Sequence, residues 1–180
     1  MRRVSVVGNA GAGKSRFAQR LAAKLGAPWV ELDAIYHLPN WQPIEPGTFY
    51  ALVDKIASSE AWVIDGNYRT VVVEGPVWRR ADTVVWLDLP RRTIMRQVTV
   101  RSLRRVVRRE RLWNDNQESM RNLLAWAPRL SIIRWAWTQH GKYQDRFGSA
   151  MASAGLSHLE FVRIRSRREA EAFLARQREQ

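Results

Sequence analysis

The sequence predicts an α/β protein in which helices flank a buried, parallel sheet of five strands. Short apolar runs alternate with amphipathic stretches along the chain, and this alternation is typical of βα units. The chain has 180 residues, 46% of them hydrophobic, which suits a single domain over residues 1–180 with a small appended lid. The predicted strands are Val4–Val7, Trp29–Leu32, Trp62–Ile64, Thr83–Leu87 and Leu159–Ile164.

Local signals place three helix ends. Gly26, with Pro28 just beyond it, predicts the end of the first helix. Thr48 is a candidate N-cap for the second helix. Ser166 and Glu169 have the spacing of a capping box, which predicts the start of the last helix.

The strand pattern disappears between Pro90 and about Ser157 and gives way to a helical one. This stretch contains nine arginines between positions 91 and 111. We interpret residues from about 91 to 157 as an inserted, arginine-rich helical lid, called the lid segment below. Its tryptophan cluster is predicted to comprise Trp113, Trp126, Trp135 and Trp137.

The charge balance indicates anionic partners. The formal net charge is +13, and arginine supplies 26 of the 30 basic residues. Nucleotide phosphates, nucleic acid and an acidic membrane surface are all compatible with this charge, which does not choose among them. The chain has no cysteine, which excludes disulfides and thiolate metal sites. No apolar run reaches the length of a signal peptide or membrane span, so we expect a cytoplasmic protein without a membrane partner.

The strongest motif directly follows the first predicted strand. Residues 8–15 match the Walker A pattern of a glycine, four residues, a second glycine, a lysine and a hydroxyl residue. The motif joins a β-run to the amphipathic stretch Ser15–Leu25, which is the strand–loop–helix setting that phosphate binding needs. It predicts a P-loop NTPase/kinase fold. The nucleotide-binding residues are Gly8, Asn9, Ala10, Gly11, Ala12, Gly13, Lys14 and Ser15.

Each residue type in this motif has a chemical reason. Glycines allow backbone N–H groups to turn toward phosphate oxygens, and the helix N-terminus adds partial positive charge. Lys14 can reach the β- and γ-phosphates as a catalytic residue, while the Ser15 hydroxyl can ligate Mg²⁺. A glycine-rich turn that only starts a helix needs neither side chain. We therefore expect ATP and Mg²⁺ as cofactors.

A carboxylate is expected to complete the metal site, because Mg²⁺ bound to ATP is normally also held by an acidic side chain at a strand end. Asp65 and Asp88 each follow a predicted strand. We assign Asp65 to the metal together with Ser15, because Gly66 next to it lets a ligand approach closely. For Asp88 a role as a strand-end cap is equally consistent.

The sheet edge just beyond the second strand is predicted to hold a phosphate acceptor. Asp33 lies there and is a candidate to bind the acceptor and to take its proton. Arg69 can clamp an anionic acceptor. On local evidence Asp33 can equally be a loop cap, and Arg69 an ordinary exposed arginine. These positions define an acceptor-binding region at about residues 33–70.

Arginines of the lid segment are candidates to grip phosphates. Arg101, Arg104, Arg105 and Arg108 share one helical face at spacings of three and four residues. In one interpretation Arg101 is a catalytic residue and Arg105 binds substrate. The lid arginines then stabilise the negative charge on the transferred phosphoryl group. In the other, this is a solvated basic helix or a nucleic-acid tether whose binding weakens with salt. We assign one or two arginines to phosphates and the rest to solvent.

The P-loop, Asp33 and the pair Asp65 and Arg69 resemble nucleoside monophosphate kinases of the adenylate kinase type. The resemblance implies that Asp65 lies near Mg²⁺, that Arg69 holds the acceptor's phosphate, and that Arg101 contacts the donor phosphates. In adenylate kinases the acceptor arginine follows a Phe-Pro pair, whereas Asn67-Tyr68 stands there in this chain.

A closer resemblance covers nearly the whole chain. The sequence is similar to bacterial adenylate-kinase-like P-loop proteins often labelled DNA topology modulation proteins, which implies a link to DNA. In those relatives Gly and Arg are expected where this chain has Asp115 and Gln117. The segments that carry the resemblance are Leu32–Tyr36, Pro39–Pro43, Trp62–Tyr68, Arg80–Asp88 and Leu112–Ser119.

Three functional hypotheses follow. The first is a phosphotransferase that moves the γ-phosphoryl group of ATP to a small acceptor. The second is a nucleic-acid-associated ATPase whose basic helix contacts DNA. The third is a nucleotide-binding regulator with negligible turnover.

Overall fold

The structure, a computed structural model, describes residues 1–120 and 131–177. Its centre is a five-stranded, fully parallel sheet in the order β2-β3-β1-β4-β5. The predicted fold class is therefore confirmed, and each predicted strand end holds to within one residue. The strands are β1 (Arg3–Gly8), β2 (Trp29–Glu31), β3 (Trp62–Asp65), β4 (Thr83–Leu87) and β5 (Glu160–Ile164).

Helices cover both faces of the sheet, so its apolar strands are buried on both sides. One core cluster joins the sheet to α1 and α7, and the other joins it to α3, α4 and α6. The helices are α1 (Lys14–Leu25), α2 (Leu32–Tyr36), α3 (Pro46–Ala57), α4 (Pro76–Arg80), α5 (Arg91–Val107), α6 (Ile132–Met151) and α7 (Arg167–Arg176), and 3₁₀ turns occupy Pro39–Trp41, Trp113–Asp115 and Ala154–Leu156.

The strand order fixes where a ligand can bind. β1 lies at the centre, between β3 and β4. The next two strands in the sequence, β2 and β3, lie on one side of it, and the last two, β4 and β5, lie on the other side. Carboxyl ends of parallel strands open a crevice at such a switch point. The loop after β1 therefore begins at the position where this fold places ligands.

Two of the three predicted helix ends are confirmed. Gly26 adopts a left-handed conformation, φ 60°, and its N–H donates to the carbonyl of Ala22 at the end of α1. The Ser166 hydroxyl accepts from the N–H of Glu169 at 3.1 Å. The carboxylate of Glu169 in turn accepts from the N–H of Arg165 at 2.8 Å.

The prediction that Thr48 caps α3 was wrong. The cap is Glu45, whose carboxylate accepts from the N–H groups of Gly47 at 2.7 Å and Thr48 at 2.6 Å. Pro46 explains the shift, because proline is favoured at the first helical position and moves the cap to the residue before it. These backbone hydrogen bonds hold the pKa of Glu45 below its usual range.

The described part of the lid segment contains α5 and α6, which pack together through Ile94, Val98 and Ala136. Trp135 and Trp137 lie on α6 and are exposed, whereas Trp126 lies outside the described residues. Among residues 1–120 and 131–177, no helix combines the length and the apolar character needed to cross a membrane.

Candidate active site

The predicted P-loop is curled, and its glycines are there for steric reasons. Gly8, Gly11 and Gly13 all have positive φ, at 145°, 87° and 87°. A Cβ on Gly8 would lie 2.6 Å from the carbonyl oxygen of Leu87, and one on Gly11 would lie 2.9 Å from the Cβ of Val98. Gly13 is the N-cap of α1 and has no side chain with which to cap it. The first N–H groups of this helix are therefore left for an anionic ligand.

Two asparagines hold this loop in place. Asn9 is 3% exposed, and its side-chain amide donates to the carbonyl of Ala136 in α6 at 2.7 Å. Asn67 follows β3 and makes two bonds to Gly8: it donates to the carbonyl at 2.6 Å and accepts from the N–H at 3.1 Å. The loop is thus fixed to the neighbouring strand and to the lid segment. Sequence reasoning gave Asn67 no role.

The metal candidates Ser15 and Asp65 lie together, with an additional carboxylate. The Ser15 hydroxyl donates to Glu31 Oε1 at 2.6 Å and lies 3.4 Å from Asp65 Oδ1. Asp65 is 1% exposed, and its other oxygen accepts from the indole N–H of Trp29 at 3.0 Å. Burial raises the pKa of Asp65 to about 6, and the nearby Lys14 ammonium opposes this rise. Sequence reasoning missed Glu31, whose only signal was its place at a strand end.

Lys14 stands at the start of α1 and forms no ion pair with a carboxylate of residues 1–120 or 131–177. Its ammonium donates to the carbonyl of Asn9 within the same loop at 3.4 Å, which is a long hydrogen bond. The lysine charge thus remains beside the curl of the loop, next to the first N–H groups of the helix. This is the arrangement that a phosphate chain needs.

Asp33 lies on α2, beside an aromatic wall. Its carboxylate accepts from the hydroxyl of Tyr68 at 2.7 Å. The Tyr68 ring packs against Tyr36 and Phe49, with ring centroids 4.6 Å and 5.0 Å apart. Burial, followed by the Asp33 charge, raises the pKa of Tyr68, so the phenol stays protonated and donates to Asp33.

Arg69 lies apart from this group. Its side chain is 65% exposed and forms an ion pair with Glu74 at 2.5 Å. Its assignment to an acceptor phosphate remains a prediction, and it requires the guanidinium to leave Glu74.

The lid segment brings Arg101 toward the carboxylates of Asp33 and Glu31, with Arg105 beside it. Burial and the neighbouring Arg105 lower the pKa of Arg101, while the charges of Glu118, Asp33 and Glu31 act in the opposite direction. Arg105 pairs with Glu118 at 2.9 Å, and both side chains are largely buried. The Nε of Arg101 is buried and has no hydrogen-bond partner within the described part of the chain. An anionic ligand would supply one.

The remaining arginines of this helical face behave differently. Arg104 is 55% exposed and pairs with Glu110 at 3.2 Å, and Arg108 is exposed beyond the end of α5. Only part of the predicted arginine face therefore turns toward the site.

Asp88, the other candidate for the metal, has a structural partner instead. Its Oδ2 accepts two hydrogen bonds from the guanidinium of Arg163, at 2.9 Å and 2.6 Å. Its Oδ1 lies 3.3 Å from the amide nitrogen of Gln144. This carboxylate joins the end of β4 to β5 and α6.

Two loops of the same shape face each other over the acceptor-binding region. We call residues 37–43 and 111–117 the paired loops. Each is closed by an antiparallel bridge between its first and last residues. In each, the N–H of the second residue donates to the carbonyl of the sixth at 2.7 Å. The fourth residue is an asparagine with positive φ in both, Asn40 at 60° and Asn114 at 52°.

Side chains tie the paired loops together. Asn116 Oδ1 accepts from the N–H of Trp41 at 2.8 Å, and its Nδ2 donates to the carbonyl of Leu38 at 3.0 Å. The rings of His37 and Trp113 stack with centroids 5.7 Å apart. These contacts join residues 37–43 to the lid segment.

Solved structures of small-molecule kinases share this backbone. Shikimate kinase from Bacteroides thetaiotaomicron is 15% identical with a TM-score of 0.56, covering 97% of this chain and 95% of that chain. Shikimate kinase from Acinetobacter baumannii, in complex with shikimate, is 15% identical with a TM-score of 0.59, covering 97% and 89%. The chain has the P-loop kinase fold. A gluconokinase from Sinorhizobium meliloti 1021 is 18% identical with a TM-score of 0.51, covering 97% and 92%.

At sequence identities of 15% to 18%, the likeness to these structures establishes the fold alone. No protein-family model and no curated protein matches the chain. What the site does is therefore argued from its own residues.

The residues around Ser15 fit Mg²⁺. This ion takes hard oxygen ligands, keeps several waters and is usually held by one or two carboxylates together with substrate phosphates. A serine hydroxyl with the carboxylates of Asp65 and Glu31 is a donor set of this kind. The buried, unpartnered Nε of Arg101 likewise fits a phosphate oxygen.

Proposed function

We propose that the protein is an ATP-dependent phosphotransferase that acts on a small-molecule acceptor. The observation that carries the proposal is the curled glycine loop whose Ser15 hydroxyl meets the carboxylates of Glu31 and Asp65. The proposal is supported because a glycine loop with unpaired helix N–H groups and hard oxygen atoms lie together at the carboxyl end of β1. The likeness to small-molecule kinases supports the same conclusion.

The proposed reaction is a single displacement at the γ-phosphorus. The acceptor's hydroxyl oxygen forms a bond to that phosphorus, and the bond from the phosphorus to the β–γ bridging oxygen breaks. ADP leaves with the electron pair, and the acceptor's proton passes to the carboxylate of Asp33. Lys14 and Arg101 stabilise the negative charge spread over the transferred group. Mg²⁺ held near Ser15 and Asp65 would supply further charge stabilisation.

The acceptor is proposed to bind beside Asp33, because Tyr68 already packs against Tyr36 of α2. Asp33 accepts the Tyr68 hydroxyl at 2.7 Å and leaves its other oxygen for a substrate hydroxyl. The paired loops close over this region and exclude water, which protects the transferring group from hydrolysis.

An acceptor screen tests this proposal. Release of ADP is followed with nucleoside monophosphates, nucleosides and small hydroxylated metabolites, using the wild type and Lys14→Ala in parallel. We expect one acceptor class to stimulate turnover in the wild type and Lys14→Ala to abolish it. Lys55→Ala removes an exposed lysine of α3 and should turn over normally. Slow hydrolysis that no acceptor stimulates would contradict the proposal.

We further propose membership of the family of DNA topology modulation proteins and a cytoplasmic location. Two of the resembling segments, residues 39–43 and 112–119, contain most of the paired loops, so the resemblance extends to residues that contact one another. Binding of the same acceptor by other members of that family would support the assignment.

A second candidate function is a nucleic-acid-associated ATPase. The observation in its favour is an exposed contact between an arginine and a tryptophan. The guanidinium of Arg91 lies 4.9 Å from the ring centroid of Trp137, which is 55% exposed, and such stacking surfaces suit single strands. Binding to duplex and single-stranded DNA is titrated with salt. Absence of binding at ordinary ionic strength would eliminate this candidate.

A further inference from the structure

A single carboxylate joins the P-loop to the lid segment. Glu31, at the end of β2, accepts from the Ser15 hydroxyl through Oε1 at 2.6 Å. Through Oε2 it accepts from the indole N–H of Trp113 at 2.8 Å. Trp113 is the third residue of the second paired loop, 82 residues further along the chain. The two ends of this connection are therefore a residue of the nucleotide cradle and a residue of the lid.

The direction of the Ser15 hydroxyl matters for metal binding. A serine oxygen ligates a cation through a lone pair, so its proton must point elsewhere, toward a hydrogen-bond acceptor. Two carboxylates compete for that proton, Glu31 at 2.6 Å and Asp65 at 3.4 Å. The shorter, charge-assisted bond to Glu31 determines the rotation of the hydroxyl.

Trp113 determines where the carboxylate of Glu31 lies. It supplies a second charge-assisted hydrogen bond, and its ring is stacked on His37 across the paired loops at 5.7 Å. When the paired loops separate, the indole N–H leaves Glu31, which is then free to rotate. The hydroxyl of Ser15 then loses its fixed acceptor.

We propose that Glu31 is a positioning residue that couples lid closure to the metal-binding orientation of Ser15. The inference rests on the proposed function, because it concerns the same nucleotide site. Its consequence is reciprocal: a closed lid strengthens metal-dependent nucleotide binding, and bound nucleotide with metal favours the closed lid.

Calorimetry with a non-hydrolysable ATP analogue tests the coupling, once with Mg²⁺ and once with a chelator. We expect Trp113→Phe, which keeps the ring and removes the N–H, to weaken binding about tenfold in Mg²⁺ and to leave binding in chelator unchanged. Glu31→Gln should weaken binding in Mg²⁺ to a similar extent, because an amide nitrogen replaces one of the two accepting oxygens. In chelator it should bind no more weakly than the wild type, because it also removes a negative charge. The double variant should bind no more weakly than Glu31→Gln alone. Trp137→Phe, in an exposed position of α6, is the matched control and should bind like the wild type.

A spectroscopic measurement detects the contact independently of nucleotide. The chain has nine tryptophans, so protein labelled with 5-fluorotryptophan gives a spectrum in which the Trp113 signal is the one lost in Trp113→Phe. This signal should shift in Glu31→Gln without any ligand. It should also shift in the wild type when the analogue and Mg²⁺ are added.

The outcomes separate the two proposals. The coupling is overturned, while nucleotide binding stands, by either of two results. One is that the effects of Trp113→Phe and Glu31→Gln on affinity add up in the double variant. The other is that Trp113→Phe loses as much affinity in chelator as in Mg²⁺. An unmoved Trp113 signal in Glu31→Gln overturns it as well. A wild type that binds no nucleotide overturns the proposed function, and this inference with it.

Discussion

Replacing Asn116 by alanine should open the paired loops. This side chain is 4% exposed and makes three hydrogen bonds. It accepts from the N–H of Trp41 and donates to the carbonyls of Leu38 and Trp113. Two of these three bonds cross from the lid segment to the acceptor-binding region. Alanine can make none of them.

The size of the effect follows from the two bonds that cross between the loops, because the bond to Trp113 lies within one loop. A neutral hydrogen bond contributes about 1 kcal/mol net, so removing these two costs about 2 kcal/mol of the free energy of closing. Each 1.4 kcal/mol or so is a factor of about ten in an equilibrium. The population of the open state should therefore rise by about thirtyfold in Asn116→Ala.

Hydrogen exchange at two indole N–H groups measures this population. The indole of Trp41 donates to the carbonyl of Gln117 on the lid segment at 3.1 Å, and the indole of Trp113 donates from the lid segment to Glu31 at 2.8 Å. The substitution removes neither donor nor acceptor of these two bonds. Loss of protection at both indoles together would show that the loops open as a unit. Gln42→Ala changes an exposed side chain at the equivalent position of the first loop and is the control. Unchanged protection of the Trp113 indole in Asn116→Ala would refute the reasoning.

Gly11→Ala should destabilise the fold by roughly 2–3 kcal/mol, since the added methyl group would lie 2.9 Å from Val98 Cβ at a residue with φ 87°; chemical denaturation measures the loss. Gly148→Ala, a helical glycine with no heavy atom within 4 Å of the added methyl group, should instead gain about 0.5–1 kcal/mol. Asp88→Asn should cost about 3 kcal/mol by leaving Arg163 without its carboxylate, while nucleotide affinity by calorimetry stays unchanged. An Asp88→Asn variant that is as stable as the wild type, or that binds nucleotide more weakly, would contradict a structural role for Asp88.

The sequence predicts those parts of the molecule that depend on neighbouring residues. Strand ends hold to within one residue because turn residues adjoin the apolar runs. Gly26 ends its helix because glycine adopts the left-handed conformation without the steric cost of a Cβ. The Walker A pattern identifies the cradle because its conformation is local, with three glycines at positive φ. Thr48 failed as a cap for an equally local reason, the preference of Pro46 for the first helical position.

The parts that sequence reasoning missed depend on contacts between distant segments. Asn67 acquires a role only because β3 lies beside β1, which brings its amide to Gly8. In the sequence Glu31 is an ordinary carboxylate at a strand end. Its role depends on the hydrogen bond that it accepts from Trp113 of the lid segment. The likeness of the paired loops is invisible in composition, since they share little more than one leucine and one asparagine at equivalent positions. Backbone geometry, rather than residue identity, relates them.

The charges of the closed site indicate how nucleotide binding should depend on metal. Lys14 and Arg101 lie near the carboxylates of Glu31, Asp33 and Asp65. A triphosphate that enters without a metal ion would bring its negative charge close to these three carboxylates. A divalent cation offsets this repulsion. Asp65→Asn removes one carboxylate while an amide oxygen can still accept from Trp29. We expect this variant to bind the ATP analogue about tenfold more weakly in Mg²⁺ and more tightly than the wild type in chelator. Calorimetry gives both affinities, and a ratio equal to that of the wild type would show that Asp65 does not hold the metal.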